Sequence, residues 1–172
     1  MDDPLALRFA STIRATRSGL TDALDTPEGL AAWLQAQGLP PSDDHAGMVA
    51  LRQAVRALFA RAVAPAPPSA ADASRLPPFP EALALVNAAA APVVRRLDWT
   101  DGWQERTQDT AADARLAHAA IDFFAGPEVE RVRACPAPRC VLYFIKRHPR
   151  QEWCSVACGN RARAARHYRR AD

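Results

Sequence analysis

Apolar positions recur through the first 125 residues at intervals of three and four, the spacing of one face of an α-helix. Leu5, Phe9, Thr12 and Ile13 predict a helix over about 3–17, with Arg8 and Arg14 elsewhere on its surface. Thr26 as N-cap, Pro27 at the first helical position and Gly38 as the stop delimit a second helix around Leu30, Trp33 and Leu34. The strongest pattern runs over about 42–63. There Met48, Leu51, Val55, Leu58, Phe59 and Ala62 form one stripe, and Arg52, Arg56 and Arg61 are expected to point away from it. Prolines at 65, 67 and 68 and at 77, 78 and 80 break the chain before a further helix over about 81–90. Between 92 and 107 the period changes. Val93–Leu97 and Trp103–Thr107 flank Asp98-Trp-Thr-Asp101-Gly102, where Asp-Gly supplies a turn, and predict a β-hairpin. Asp109 is the expected cap of a helix to Ala125, with Leu116, Ala119, Ala120, Phe123 and Phe124 inward.

Composition adds little for these 130 residues and much for the rest. At 172 residues, 49% hydrophobic and 24% charged, the chain is a folded protein and neither collagen, nor fully disordered, nor a secreted mini-scaffold. Its most apolar stretch, 82–94, is interrupted by Asn87 and Pro92 and is too short to span a bilayer. Acidic residues at 2 and 3, where a signal peptide would be basic, lead to the expectation of a cytoplasmic protein. Abundant alanine, and arginine in place of all lysines but Lys146, fit a GC-rich bacterial genome. The overall net charge of +3 conceals a division. Residues 1–130 are net acidic at −6, whereas 131–172 carry +9 and all four cysteines. The expected organisation is therefore a helical domain over 1–130, stable by itself, and a small basic module over 131–172.

The cysteines stand as two close pairs, Cys135/Cys140 and Cys154/Cys158. In a reducing compartment that arrangement suggests a tetrahedral four-thiolate zinc site. The first pair suits a turn fixed by Pro136 and Pro138. The second, four residues apart, would put both sulfurs on one side of a helix. Val141–Ile145 is β-prone, so a short hairpin would set one pair beside the other. Two disulfides, four unligated thiols and an iron–sulfur cluster are the alternative readings.

Trp153-Cys154-Ser155, then Cys158-Gly159-Asn160-Arg161 and an arginine-rich helix, resemble the CGNR zinc-finger family of bacteria. Arg131-Val-Arg133-Ala-Cys135 and Tyr143-Phe144 fit the same family. Leu5-Ala-Leu7-Arg8-Phe9-Ala10-Ser11-Thr12 resembles the opening of the ABATE domain that accompanies this finger. The chain departs from that pattern with Arg8 in place of an acidic residue, Ser11 in place of Asn, and Lys146 near the usual place of an Asp. The resemblance covers nearly the whole chain. It implies a stress-response transcription regulator that binds DNA, Zn²⁺ as cofactor, and a structural role for Gly159, Asn160 and Arg161. The expected fold is mainly α: a helical N-terminal domain with a small β-hairpin, followed by a treble-clef-like zinc finger.

Helical angles divide the arginines of the last helix. Arg163, Arg166 and Arg170 share one side with Arg169 at its edge, and Arg161 lies opposite. The first set forms a candidate nucleic-acid ridge, with Lys146 and Arg147 of the hairpin as further candidates. Arg161 is expected to brace the finger through hairpin carbonyls, and Gly159 to leave room for a partner. The N-terminal domain would then sense a small-molecule effector or form a homodimer. A zinc-finger adaptor for an acidic protein surface is one competing reading. A small-molecule-binding protein with a structural finger is another. Dispersed histidines, with no phosphate loop or nucleophile elbow, argue against an enzyme.

Overall fold

The computed structural model describes residues 3–16, 19–72, 76–91, 95–99, 101–107 and 111–171, without the side chains of 95–98, 103–107 and 168–171. Six helices and three separate antiparallel hairpins alternate along the described chain: α1 (Leu5–Ala10), β1 (Ile13–Ala15), β2 (Leu20–Asp22), α2 (Pro27–Ala36), α3 (His45–Val63), α4 (Phe79–Ala89), β3 (Arg95–Trp99), β4 (Trp103–Thr107), α5 (Ala112–Ala125), β5 (Val132–Ala134), β6 (Tyr143–Ile145) and α6 (Val156–Ala171). A single 3-10 turn, Pro127–Arg131, joins α5 to β5. None of these helices is long and apolar enough to cross a membrane.

Local chemistry explains most boundaries. Thr26 accepts the Gly29 amide at 3.1 Å and Pro27 opens α2, as the sequence predicts. Gly38, at φ +65°, closes it, a left-handed conformation that costs a side-chain-bearing residue. Asp44 caps α3 by accepting the Gly47 amide at 2.8 Å, which moves the start of that helix from 42 to 45. The expected helix over 3–17 is corrected to one and a half turns. It stops because the Thr12 hydroxyl donates to the Phe9 carbonyl, and Ile13–Ala15 turn out to pair with Leu20–Asp22. The expected hairpin is present, but Asp98 and Trp99, expected in its connection, are paired strand residues, with Trp99 opposite Trp103. The Asp109 cap and Pro92–Val94 lie outside the described residues.

The core closes around the middle of α3, residues 51–60. Leu7 and Phe9 of α1, Val86 of α4 and Leu116, Ala120 and Phe123 of α5 pack against Leu51, Val55 and Phe59. Because neighbours surround that stretch, the arginines of α3 cannot all reach water. Arg61 is exposed, but Arg52 and Arg56 are buried, which corrects the expectation that they point outward. Their charges are met inside. Arg52 pairs with Asp22 of β2. Arg56 pairs with Asp72 at 2.7 Å and donates to the Ala10 carbonyl, the Ser69 hydroxyl (3.1 Å) and the Val141 carbonyl (3.2 Å).

The C-terminal segment is built into the same core. Val132, Tyr143 and Ile145 belong to the cluster around α3, while Phe144, on the other face of β6, packs against Cys135, Cys140 and Cys158. The three-residue strand β6 thus walls two apolar clusters at once. Tyr143 stacks on Phe59 at 5.3 Å and donates to Asp72 at 2.6 Å, and its oxygen accepts the Ser69 amide at 3.2 Å. Burial and the Asp72 carboxylate push its phenol well above the ordinary range. Residues 1–130 alone would lack this wall and leave Arg56 and Asp72 without two of their partners.

Candidate metal centre and arginine face

Cys135 enters from the end of β5, where its amide donates to the Leu142 carbonyl at 2.9 Å and extends the hairpin ladder. A tight turn through Pro136 and Pro138 returns the chain to Cys140, whose amide donates to the Ala137 carbonyl at 3.0 Å. Arg139 takes φ +61° to make that turn. On the other side, the Ser155 hydroxyl accepts the Cys158 amide at 3.2 Å and caps α6, and that places Cys158 in its first turn beside Cys154.

These two devices bring all four Sγ atoms within 4.8 Å of one another. Cys140 and Cys154 sulfurs are 3.7 Å apart, and those of Cys154 and Cys158 3.5 Å. Tetrahedral zinc with bonds of about 2.3 Å requires sulfur separations of roughly 3.8 Å, so the cluster has the size of one such site. Its titration points the same way. Hydrogen bonds from Cys140 and Cys154 hold Cys135 below an ordinary thiol; the anion so favoured pushes Cys140 up to about 11 and Cys154 higher still. Four thiols packed this closely cannot all ionise without a cation to compensate them. No histidine or carboxylate joins the cluster among the described residues. Arg161 donates to the Cys158 sulfur at 3.1 Å. The partner is thus a thiol of the cluster and not the hairpin carbonyls that were expected.

Opposite Arg161, α6 carries its ridge. The guanidinium carbons of Arg163 and Arg166 stand 5.9 and 5.8 Å from the ring centroid of Trp153. Arg163 also donates to Asn160 Oδ1. Gly159 is what lets the indole lie there: a Cβ on it would stand 3.1 Å from Trp153 Cε3. The space left by Gly159 is therefore filled from within the chain, which corrects the expectation of room for a partner. Both ridge arginines are exposed, and neither pairs with a carboxylate among the described residues. The side chains of Arg169 and Arg170 lie outside the described residues. Arg147 is turned elsewhere, 3.5 Å from Asp3 and 3.8 Å from Glu128. The Lys146 backbone completes the hairpin, its amide donating to the Arg131 carbonyl at 2.8 Å.

Trp153 as organiser of the ridge, and Arg56, Ser69, Asp72 and Tyr143 as the anchor of the finger, were not legible as functional positions. A bulky ring one residue before a cysteine, followed six residues later by glycine, was the available signal for Trp153.

A helical domain joined to a four-cysteine finger is the class that this geometry defines. Comparison agrees with it: the family profile ABATE, described as "Putative stress-induced transcription regulator", matches residues 3–127, and the CGNR zinc finger matches residues 131–171. The chain belongs to the ABATE family and carries a CGNR zinc finger. No curated protein matches it.

Proposed function

We propose that this chain is a DNA-binding transcription regulator, in which Cys135, Cys140, Cys154 and Cys158 hold one Zn²⁺ and α6 presents Arg163 and Arg166 to the duplex. When bound, the ion crosslinks the β5–β6 turn to the start of α6, a structural role worth about 10–16 kcal/mol in zinc-finger peptides. The observation that carries the reading is the pair of exposed guanidinium groups over Trp153, without acidic partners among the described residues. Contact with the ring restricts their rotamers before binding, so less entropy is lost when they meet phosphates or base edges. Arg169 and Arg170 extend the same face by helical position, whereas Arg147 serves the contact with Asp3 and Glu128. The acidic balance of residues 1–130 keeps that part off the phosphates. A symmetric dimer would present two fingers, and one module alone offers only about 600–1,000 Å². The chain acts by binding rather than by catalysis.

The test is fluorescence anisotropy of a labelled mixed-sequence duplex at low salt with the full chain, zinc-loaded and after chelation. Zinc-dependent binding is expected. No binding by the loaded chain would overturn the reading and favour a protein-interaction adaptor.

A further inference from the structure

A cleft of about 700 Å³ opens between α1, the β1–β2 hairpin, α2 and the finger, within the range that accepts small molecules. Its walls come from both parts of the chain. Arg8, Arg14 and Trp33 line it from the helical side, and Leu142, Phe144 and Arg161 from the finger. Charge is unevenly met there. Asp22 at its edge is committed to Arg52 and to the Leu24 amide (2.8 Å), and Asp3 to Arg147. Arg161 donates to Cys158, and Arg14 to the Ser11 carbonyl at 3.2 Å. The Arg8 guanidinium has neither a hydrogen bond nor a carboxylate among the described residues, and its Nε is buried without an acceptor. A half-buried guanidinium with no acceptor is unfavourable until an anion supplies one. Beside it the wall is apolar and ordered: Trp33 packs on Phe9 at 5.3 Å, and Leu142 and Phe144 face in from the finger.

We infer that this cleft binds a small organic anion, a carboxylate or a phosphate ester on an apolar planar body. The anionic group pairs with Arg8 and Arg14, and the body lies against Trp33, Leu142 and Phe144. Forked guanidinium recognition suits both anions, and the apolar wall selects against simple inorganic ions. A duplex cannot enter a recess of this size, so the site is separate from the α6 face and does not depend on the DNA reading. An occupant touching both walls holds the finger against the helical part, which makes it a candidate effector.

The experiment is isothermal titration calorimetry of the zinc-loaded full chain with 2-naphthoate, 2-naphthyl phosphate and the neutral 2-naphthamide. One or both anions are expected to bind one to one, with the amide at least about tenfold weaker, equivalent to about 1.4 kcal/mol. Which anion binds decides between the two ligand classes. Arg8→Gln is expected to weaken binding by about tenfold or more with zinc content unchanged. Arg14→Gln, at an exposed position, should do the same and carries the test if the Arg8 variant misfolds. Absence of binding by both anions to millimolar concentration overturns the inference. So does equal binding of the amide, or wild-type affinity in both arginine variants.

Discussion

Replacing Arg56 by Met removes a fully buried guanidinium that joins three parts of the chain at once. It contacts Ala10 after α1, Ser69 and Asp72 in the loop after α3, and Val141 beside Cys140. The consequences for its partners differ. The Val141 carbonyl keeps the Ser69 hydroxyl at 2.9 Å, so it remains satisfied. Asp72 keeps only the Tyr143 hydroxyl and becomes a buried carboxylate with no counter-charge. Breaking a buried pair from one side costs about 3–5 kcal/mol, and that range is expected for Arg56→Met. Adding Asp72→Asn removes the orphaned charge, so the double variant should recover about 1–2 kcal/mol relative to the single one, within the usual coupling range of contacting residues. The assay is urea unfolding of zinc-loaded protein, followed by circular dichroism and by release of zinc to a chromophoric chelator. Both signals should shift together, because Val141 lies beside a cysteine of the centre. A single variant within about 1 kcal/mol of wild type would refute the reasoning, as would a double variant that is no better than the single one.

Tyr143→Phe tests the same anchor through pH. Folded Tyr143 stays protonated where the unfolded side chain ionises near 10, so the unfolded state binds fewer protons above that pH. Stability from this group is complete below about pH 10 and falls by about 1.4 kcal/mol per unit as pH rises further; melts of wild type between pH 9 and 11 should show a slope that the variant lacks. Gly38→Ala should destabilise by about 1 kcal/mol in thermal melts, since a Cβ there meets nothing within 4 Å and the cost is the left-handed backbone alone. Chelation of the metal should lower the melting of the whole chain in one transition, because Val132, Tyr143 and Ile145 are core residues; an unshifted transition of the helical part would show that the two parts fold separately.

The elements with local signals were the legible ones. Thr26-Pro27 and Gly38 bracket α2 in sequence and in space, and the four-cysteine spacing anticipated a centre that long-range folding then closed. What failed was inference of surroundings from periodicity. Thr12 and Ile13 keep helical spacing with Leu5 and Phe9, but a hydroxyl that satisfies the Phe9 carbonyl ends the helix, and the pairing partner of Ile13 is nine residues away. Arg52 and Arg56 are polar in an apolar stripe, which suggests solvent. Their burial depends on Asp22, Asp72 and Val141, up to 85 residues distant, and no local window contains those partners. The alternation of β6 was also hidden, since Tyr143-Phe144-Ile145 is apolar throughout and two different clusters claim its two faces.

The most direct measurement of the central claim is a salt titration of DNA affinity for the zinc-loaded chain and for Arg163→Ala/Arg166→Ala. Zinc content and melting are checked in parallel. If the two guanidinium groups over Trp153 meet phosphates, affinity falls and the slope of log K against log salt drops by about 0.9 for each phosphate that is no longer neutralised, with the metal centre unaffected. Wild-type affinity and slope in the double variant would contradict the account and remove α6 as the nucleic-acid surface.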